Sequence, residues 1–529
     1  MFRSLFTDPF IAVKSDVRIR CYADMSIKFA EKVYTTLPSQ NLLIAPIDLL
    51  GPELKLDYVD GSKWKLKPLP VKKSVYVPVE LKLIGSKGLK QLKDAPVNDN
   101  MESITDLLSF AYYQRNMLMN VLSFDLGDIM HHRVEISVVK SDVKKFGGIL
   151  CYSERADFIE SWGSADLKRV HLADGFVSGV GKYVPFGLRG CRYIHLLIPK
   201  GSKMEYSIRV WKRVYPYEFK PVKEMKDPIV KSILEACVKN LLAVTDGGVV
   251  DTCYRERSQW VADARMSIKA IKALTNNIEV GYFVLDQIAR SYSPSLGMVG
   301  GCTPAKDAKF HLIMPTFHIA FCLSVVESEC KDEFIQKVVT NSIKIWKNKY
   351  LKTGIIADIR GWNFIDWDFK NDGLIGKIDK YNPPCSVLNG WWQELCDKSS
   401  CDSGICKEEF DRRFWTGHGY SLFDGGKEPN IHGTVSVLGS SLCLDDERRS
   451  VSLKYINGEI NSKRLFDCVT PYFAYFVAKI LPDDLKISFI KKYYGDMVKK
   501  FGTIQERVDS NCSLAHGWSI GIAEILMRN

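Results

Sequence analysis

The hydrophobic periodicity of this 529-residue chain changes once, near residue 220, and that change limits the folds open to it. Before it, short alternating runs sit between turn residues: VEISVV at Val134–Val139, YIHLLI at Tyr193–Ile198 and YSIRVW at Tyr206–Trp211. Period-two alternation buries one face of a strand, and several such strands predict an antiparallel β-sandwich. PKGSKMEY reads as a hairpin-like connection between the last two runs. Met101–Leu122 is the exception and reads as helical. After Pro221 the apolar residues recur at helical spacing, in Pro228–Val244, Asp332–Tyr350, Leu465–Leu481 and Asp483–Phe501. Roughly ten to twelve helices, separated by Gly-, Pro- and Trp-rich loops, suggest paired rings of helices around a central cleft. A chain this long exceeds the size of one core. The reading is therefore two units, a β-sandwich region over 1–222 and a helical domain over 223–529.

Composition excludes some classes. With 46% hydrophobic and 26% charged residues, the chain is ordinary globular protein. No run approaches the ~20 apolar residues that span a bilayer. Asp8 and Pro9 interrupt the start too early for a signal peptide, so a cytoplasmic protein without a membrane partner is expected. The 15 cysteines are odd in number and scattered, which favours reduced thiols. Cys396, Cys401 and Cys406 have neither the spacing nor the close histidine of a zinc site and read as a flexible surface loop. The net charge of +11 raises nucleic acid as a partner. The lysines of 55–93, however, alternate with apolar residues as on a solvated strand face, and no nucleic-acid signature accompanies them. Oligomeric state stays open, a homo-oligomer included.

Three segments carry unusual chemistry. DTCYRERSQWVAD (Asp251–Asp263) places three carboxylates, two arginines and a tryptophan where loop turns into helix. On a helix Glu256, Trp260 and Asp263 would share one face, a poor core surface but a good floor for a sugar ring. Such stripes are more often solvated helix faces. GWNFIDWDFKNDG (Gly361–Gly373) packs Trp362, Asp366, Trp367 and Asp368 into one loop. TIQERVDSNCSLAHGWSIG (Thr503–Gly521) holds Glu506, Arg507, His516 and Trp518. Singly, a Glu is usually solvent-facing and a His usually structural.

Together these clusters resemble the α-L-rhamnosidases of glycoside hydrolase family 78. Asp251, Arg255, Glu256, Arg257, Trp260 and Asp263 are similar to that family's acid-arginine-acid run leading to a tryptophan and a further aspartate. Trp362 and Asp366–Trp367 resemble its aromatic-aspartate-tryptophan loop. TPYFAYFVAKIL (Thr470–Leu481) and YYGDMVKKFGTIQER (Tyr493–Arg507) resemble the approach to its second catalytic glutamate, and SLAHGWS (Ser513–Ser519) its histidine signature. Upstream, VPFGLRGCRYIHLLI (Val184–Ile198) is similar to a strand of its preceding β-sandwich, with Leu188 replacing an aromatic. The likeness runs in order from Val184 to Gly521. Departures are Thr252–Cys253, Gln259, Val261–Ala262 and Gln505, each at a position where the family favours another residue type.

The resemblance implies a β-sandwich followed by an (α/α)6 barrel, in a short version lacking the family's usual C-terminal β-sandwich. It implies an inverting glycosidase removing terminal α-L-rhamnose from a glycoside or oligosaccharide. Glu256 would be the general acid and Glu506 the general base, with carboxyls roughly 6.5–9.5 Å apart to admit a water. Asp251 and Asp263 would hold hydroxyls and raise the pKa of Glu256, while Arg255 and Arg257 would oppose that if they point inward. Arg255, Trp260, Trp362, Asp366, Trp367 and His516 complete the implied substrate site, with no metal or organic cofactor. Two other readings stay open: a glycosidase of this fold acting on another sugar, and a carbohydrate-binding protein without turnover, against which the two retained glutamates argue.

Overall fold

A computed structural model of the chain describes residues 71–89 except 73, 119–142, 148–156, 188–199, 201–221, 226–303, 313–368, 383–508 and 512–528. It also describes the backbone of short strands at 10–14, 26–29, 32–35, 42–46, 65–67, 172–176, 181–183, 373–375 and 378–379. The N-terminal part is built on one eight-stranded antiparallel sheet: β1 (Val75–Val79), β2 (Lys82–Leu89), β3 (Met119–Ser141), β4 (Gly148–Ser153), β5 (Leu172–Phe176), β6 (Gly181–Tyr183), β7 (Arg189–Pro199) and β8 (Met204–Val214). All three alternating runs named above are strands.

The connection between β7 and β8 is not the expected hairpin. Both strands pair with β3 instead of with each other, Pro199 opposite Met119 and Met204 opposite Ser141. Four residues span at most ~18 Å, whereas the intervening stretch of a straight β3 would run ~70 Å, so β3 folds back on itself. The bend has a visible cause. Cys191 faces Met130 and Tyr193 faces Asp125, so one residue of β7 meets four of β3, among them Gly127 at φ +87°. The two halves then face one core, in which Leu122 and Phe124 pack with Val134, Ile136, Val138, Leu150, Tyr152, Ile194 and Leu196. The expected helix at Met101–Leu122 is corrected over its described end: 119–122 is strand, and the rest lies outside the described residues. The lysine-rich strands also depart from simple alternation, since Leu83 and Ile84 are exposed beside Lys82.

Twelve α-helices follow among the described residues: α1 (Pro228–Val244), α2 (Val261–Leu274), α3 (Ile278–Ala289), α4 (Pro315–Glu327), α5 (Glu333–Lys349), α6 (Ser386–Lys398), α7 (Lys407–Phe414), α8 (Ile431–Leu438), α9 (Asp446–Asn461), α10 (Pro471–Ile480), α11 (Asp483–Phe501) and α12 (Ile522–Arg528). Two match their periodic segments end to end. Leu465–Leu481 is divided, because Thr470 caps and Pro471 begins a new helix. Even- and odd-numbered helices up to α11 differ in kind. Pro315–Val325 of α4, all of α8 and Pro471–Ala478 of α10 are buried on every side, whereas α5, α9 and α11 bury one stripe. Contacts run from α2 to α4, α6, α8 and α10, then to the 3-10 turn Gly517–Ile520, which packs back on α2.

Charge reinforces this closure. Arg265 of α2, fully buried, holds Glu327 of α4 through two hydrogen bonds of 3.0 and 3.1 Å. Lys269 joins Glu327 at 2.8 Å to Glu524 of α12 at 3.1 Å, and Lys479 of α10 holds Glu394 of α6. Against the cost of burial, Arg265 and Lys269 hold the Glu327 carboxyl well below the usual carboxylate range. The stretch Cys396–Cys406 is not the flexible surface loop expected. Cys396 is fully buried in α6, and Trp392 Nε1 and Gln393 Oε1 both bind Ser403. All described cysteines are free, and no described helix is long and apolar enough to cross a membrane.

The sheet presses directly on the helical part. Tyr254 sits in the sheet's core, its hydroxyl donating to Tyr152 O at 2.9 Å. Arg257 Nη1 donates to Leu188 O at 2.9 Å, and a β-carbon on Gly190 would lie 1.7 Å from Cys253 O. Gly190→Ala is therefore expected to destabilise the protein by about 3 kcal/mol, since backbone must move to admit the methyl group. Chemical denaturation of the variant checks this, and a wild-type midpoint would contradict the close approach.

Candidate active site

The segment Asp251–Trp260 is not helical, which corrects the expectation of a shared helix face. The helix starts at Val261, and Arg257, at φ +53°, holds a left-handed conformation that breaks any earlier turn. Asp251 shapes the loop instead: its Oδ1 accepts the Ser258 amide at 2.8 Å, and its own amide donates to Ser258 O at 2.9 Å. Glu256 and Trp260 still meet, through Trp260 Nε1 donating to Glu256 Oε2 at 2.9 Å. Glu256 remains partly exposed, while Asp251 and Asp263 are buried. The two arginines diverge. Arg257 points into the sheet, and Arg255 reaches Glu506 Oε2 at 2.5 Å across 251 residues of sequence.

The second wall comes from residues 503–518. Glu506 is 3% exposed, and its Oε2 also accepts the Ser513 amide at 3.2 Å. Trp518 Nε1 donates to Glu506 O at 3.1 Å. His516 Nδ1 lies 3.2 Å from Asp263 Oδ1, and the Gly517 amide donates to Asp251 O at 2.6 Å. Both ends of this wall are tied to α1 by Asn240, which is fully buried. Its side chain accepts Ile504 N at 3.1 Å and donates to Ile504 O at 2.6 Å and His516 O at 3.2 Å. Sequence reading missed Asn240; its one signal is an amide on the otherwise apolar buried stripe of its helix.

Aromatic contacts join the three clusters. Trp260 meets Trp362 edge to face at 6.5 Å, Trp362 meets Phe364 at 5.4 Å, and Phe364 meets Trp367 at 5.5 Å and Trp518 at 6.3 Å. Tyr472 of α10 stacks on Trp518 at 5.5 Å. Phe364, absent from the sequence candidates, is the hub. Trp362 and Trp367 are half-buried, not exposed. Asp366 is fully buried and engaged within the protein: Oδ1 accepts the Trp367 amide at 2.9 Å, and Oδ2 meets His432 Nε2 at 3.0 Å and the Thr470 amide at 3.1 Å. A separate cavity of about 310 Å³, lined by Arg265, Lys269, Glu327 and Glu524 among others, contains none of the candidate residues.

The electrostatics follow from burying many acids together. Burial, then the charge of Glu256, pushes Asp251 well above the usual carboxylate range, against the pull of His516. Asp263 is also raised by burial, against its contact with His516, with Glu256 and Glu506 adding to the rise. Burial would pull His516 down, but Asp263, Glu506 and Asp251 together raise it to about 9. The imidazole is therefore a cation at neutral pH. Burial also opposes the charge on Arg255, which Glu506, Glu256, Asp251 and Glu154 outweigh.

No family model and no curated protein sequence matches the chain. Solved structures do match. Rhamnosidase from Klebsiella oxytoca with rhamnose bound is 14% identical at a TM-score of 0.64, over 86% of this chain and 96% of that one. The fold is that of the α-L-rhamnosidases. The family 78 rhamnosidase of Bacillus sp. GL1 is 15% identical at a TM-score of 0.61, over 88% of this chain and 49% of that one. Streptomyces avermitilis α-L-rhamnosidase complexed with L-rhamnose is 14% identical at a TM-score of 0.57, over 86% of this chain and 44% of that one. The present chain thus spans about half the length of the latter two.

Two expectations follow. Asn240→Ala leaves the buried Ile504 amide without its acceptor and the Ile504 carbonyl with only the His516 amide at 3.3 Å, and should cost about 2 kcal/mol in denaturant unfolding; a loss below ~0.5 kcal/mol would contradict the clamp. For His516 the folded value of about 9 lies above the ordinary value of 6.5. Its contribution is present in full below pH 6.5 and is lost as pH rises through 9. Thermal melts from pH 6 to 10 should fall through that window in wild type and less steeply in His516→Gln. Parallel curves would contradict the imidazolium.

Proposed function

We propose that this protein is an inverting α-L-rhamnosidase, built as a β-sandwich over 1–222 and an (α/α)6 barrel over 223–529. The observation that carries the reading is the meeting of two carboxylates from distant loops, Glu256 and Glu506, around Arg255 in a chain with a rhamnosidase fold. Alternating buried and one-sided helices, with Gly517–Ile520 packing back on α2, support the barrel. The substrate is a glycoside or oligosaccharide with terminal α-L-rhamnose.

Glu256 is the general acid. It is the more exposed of the two, and Trp260 Nε1 holds one of its oxygens, which orients the carboxyl toward a leaving group. Glu506 is the general base. Arg255 and the Ser513 amide fix its Oε2, keeping the carboxylate aimed at the water that attacks from the other face of the ring. The oxocarbenium-like transition state gains positive charge, which buried carboxylates at Asp251 and Asp263 stabilise in their ionised form. His516, as imidazolium, favours that form in both. Trp260, Trp362 and Trp367 wall the apolar edge of the sugar. Asp366 acts at one remove, holding Trp367 and the start of α10 in place.

Glu256→Gln and Glu506→Gln should each lose about 100- to 10,000-fold in turnover of an aryl α-L-rhamnoside. Proton NMR of the first sugar released by wild type should show the β-anomer. Initial release of the α-anomer would refute inversion, and mutants as active as wild type would refute the assignment of the pair. Tight rhamnose binding without turnover would favour a lectin-like protein instead.

A further inference from the structure

The loop carrying the proposed base is held from the N-terminal sheet by a residue outside every motif considered above. Glu154 directly follows β4 and is 5% exposed. Its Oε2 accepts the Leu514 amide at 2.9 Å, and the adjacent Arg155 reaches Cys512 O at 3.4 Å. Between those two anchor points lies Ser513, whose amide donates to Glu506 Oε2 at 3.2 Å and whose carbonyl accepts the Glu506 amide at 2.9 Å. Two consecutive residues of the sheet region therefore pin the segment that pins the carboxylate of Glu506.

The other oxygen of Glu154, Oε1, is buried and has no hydrogen-bond donor among the described residues. The groups that interact with it electrostatically are Arg255 and Glu506 from the helical side, Arg155 beside it, and the thiols of Cys191 on β7 and Cys253 in the loop. Burial raises Glu154 to about 7, against the Leu514 amide, Arg255 and Arg155, with Glu506 adding to the rise.

We propose that Glu154 is a positioning residue for Glu506, fixing the base through the Leu514 amide and the neighbouring Ser513. This rests on Glu506 being the base. Three variants test it: Glu154→Ala removes the acceptor for Leu514, Glu154→Gln keeps it, and Glu154→Asp offers a carboxyl on a shorter arm. The readouts are kcat and KM on an aryl α-L-rhamnoside, thermal melting, and amide hydrogen exchange of residues 512–515.

In Glu154→Ala, exchange at Ser513 and Leu514 should rise about tenfold, the scale of one lost hydrogen bond. Its kcat should fall about tenfold, within the range a small misplacement of a catalytic group produces, with KM nearly unchanged. Glu154→Gln should restore slow exchange and much of kcat. Wild-type exchange in Glu154→Ala would overturn the positioning, and so would a Glu154→Gln variant whose kcat stays as low as that of Glu154→Ala. Should Glu154→Ala not fold, Glu154→Gln and Glu154→Asp carry the same comparison. Should wild type turn over no rhamnoside, the enzymatic reading fails, while hydrogen exchange still decides whether Glu154 holds the 512–515 segment.

Discussion

The side chain of Asn240 is the point on which the arrangement of the candidate site depends. One fully buried amide on the first helix binds both backbone groups of Ile504 and the carbonyl of His516, bridging 264 residues of sequence. The chain from 503 onward has little regular structure of its own until Gly517, so its course must be set by partners outside it. With Ile504 and His516 held, Glu506 lies beside Arg255, and His516 lies against Asp263. The 3-10 turn that follows packs on α2.

A second constraint is electrostatic. Asp251, Asp263, Glu256, Glu506 and Glu154 lie close enough to influence one another, and Arg255, Arg155 and a protonated His516 oppose them. Crowded buried carboxylates resist ionisation, and a cation that forms among them is favoured. On the proposed reading, the free protein already carries part of the environment that a cationic sugar transition state requires. The sheet belongs to the same scheme, since Leu188, Tyr152, Gly190 and Glu154 touch the two loops that carry the glutamates.

Much of this was legible in the residues, for definable reasons. Helices α1, α5 and α11 were visible because apolar spacing records which faces meet solvent. The same rule misread 465–481, where Thr470 and Pro471 outweigh continuous apolar character. It could not see the fold-back of β3, which comes from a four-against-one bulge at Gly127 and not from any pattern of hydrophobicity. Glu256 and Trp260 were paired correctly for an incorrect reason. They touch across a loop bent at Arg257, not along a helix.

By itself, the sequence determined which segments become strands and helices and which carry acids, tryptophans and the histidine, because these depend on residue type and local spacing. Tertiary structure decided which polar groups face each other. Asp366 turned inward to His432 and Thr470, Arg257 turned to the sheet, and Arg255 turned to Glu506. Glu154 became part of the site only because β4 ends against residues 512–514. Such pairings are set by the requirement that every buried charge and amide find a partner, which no local stretch of sequence expresses.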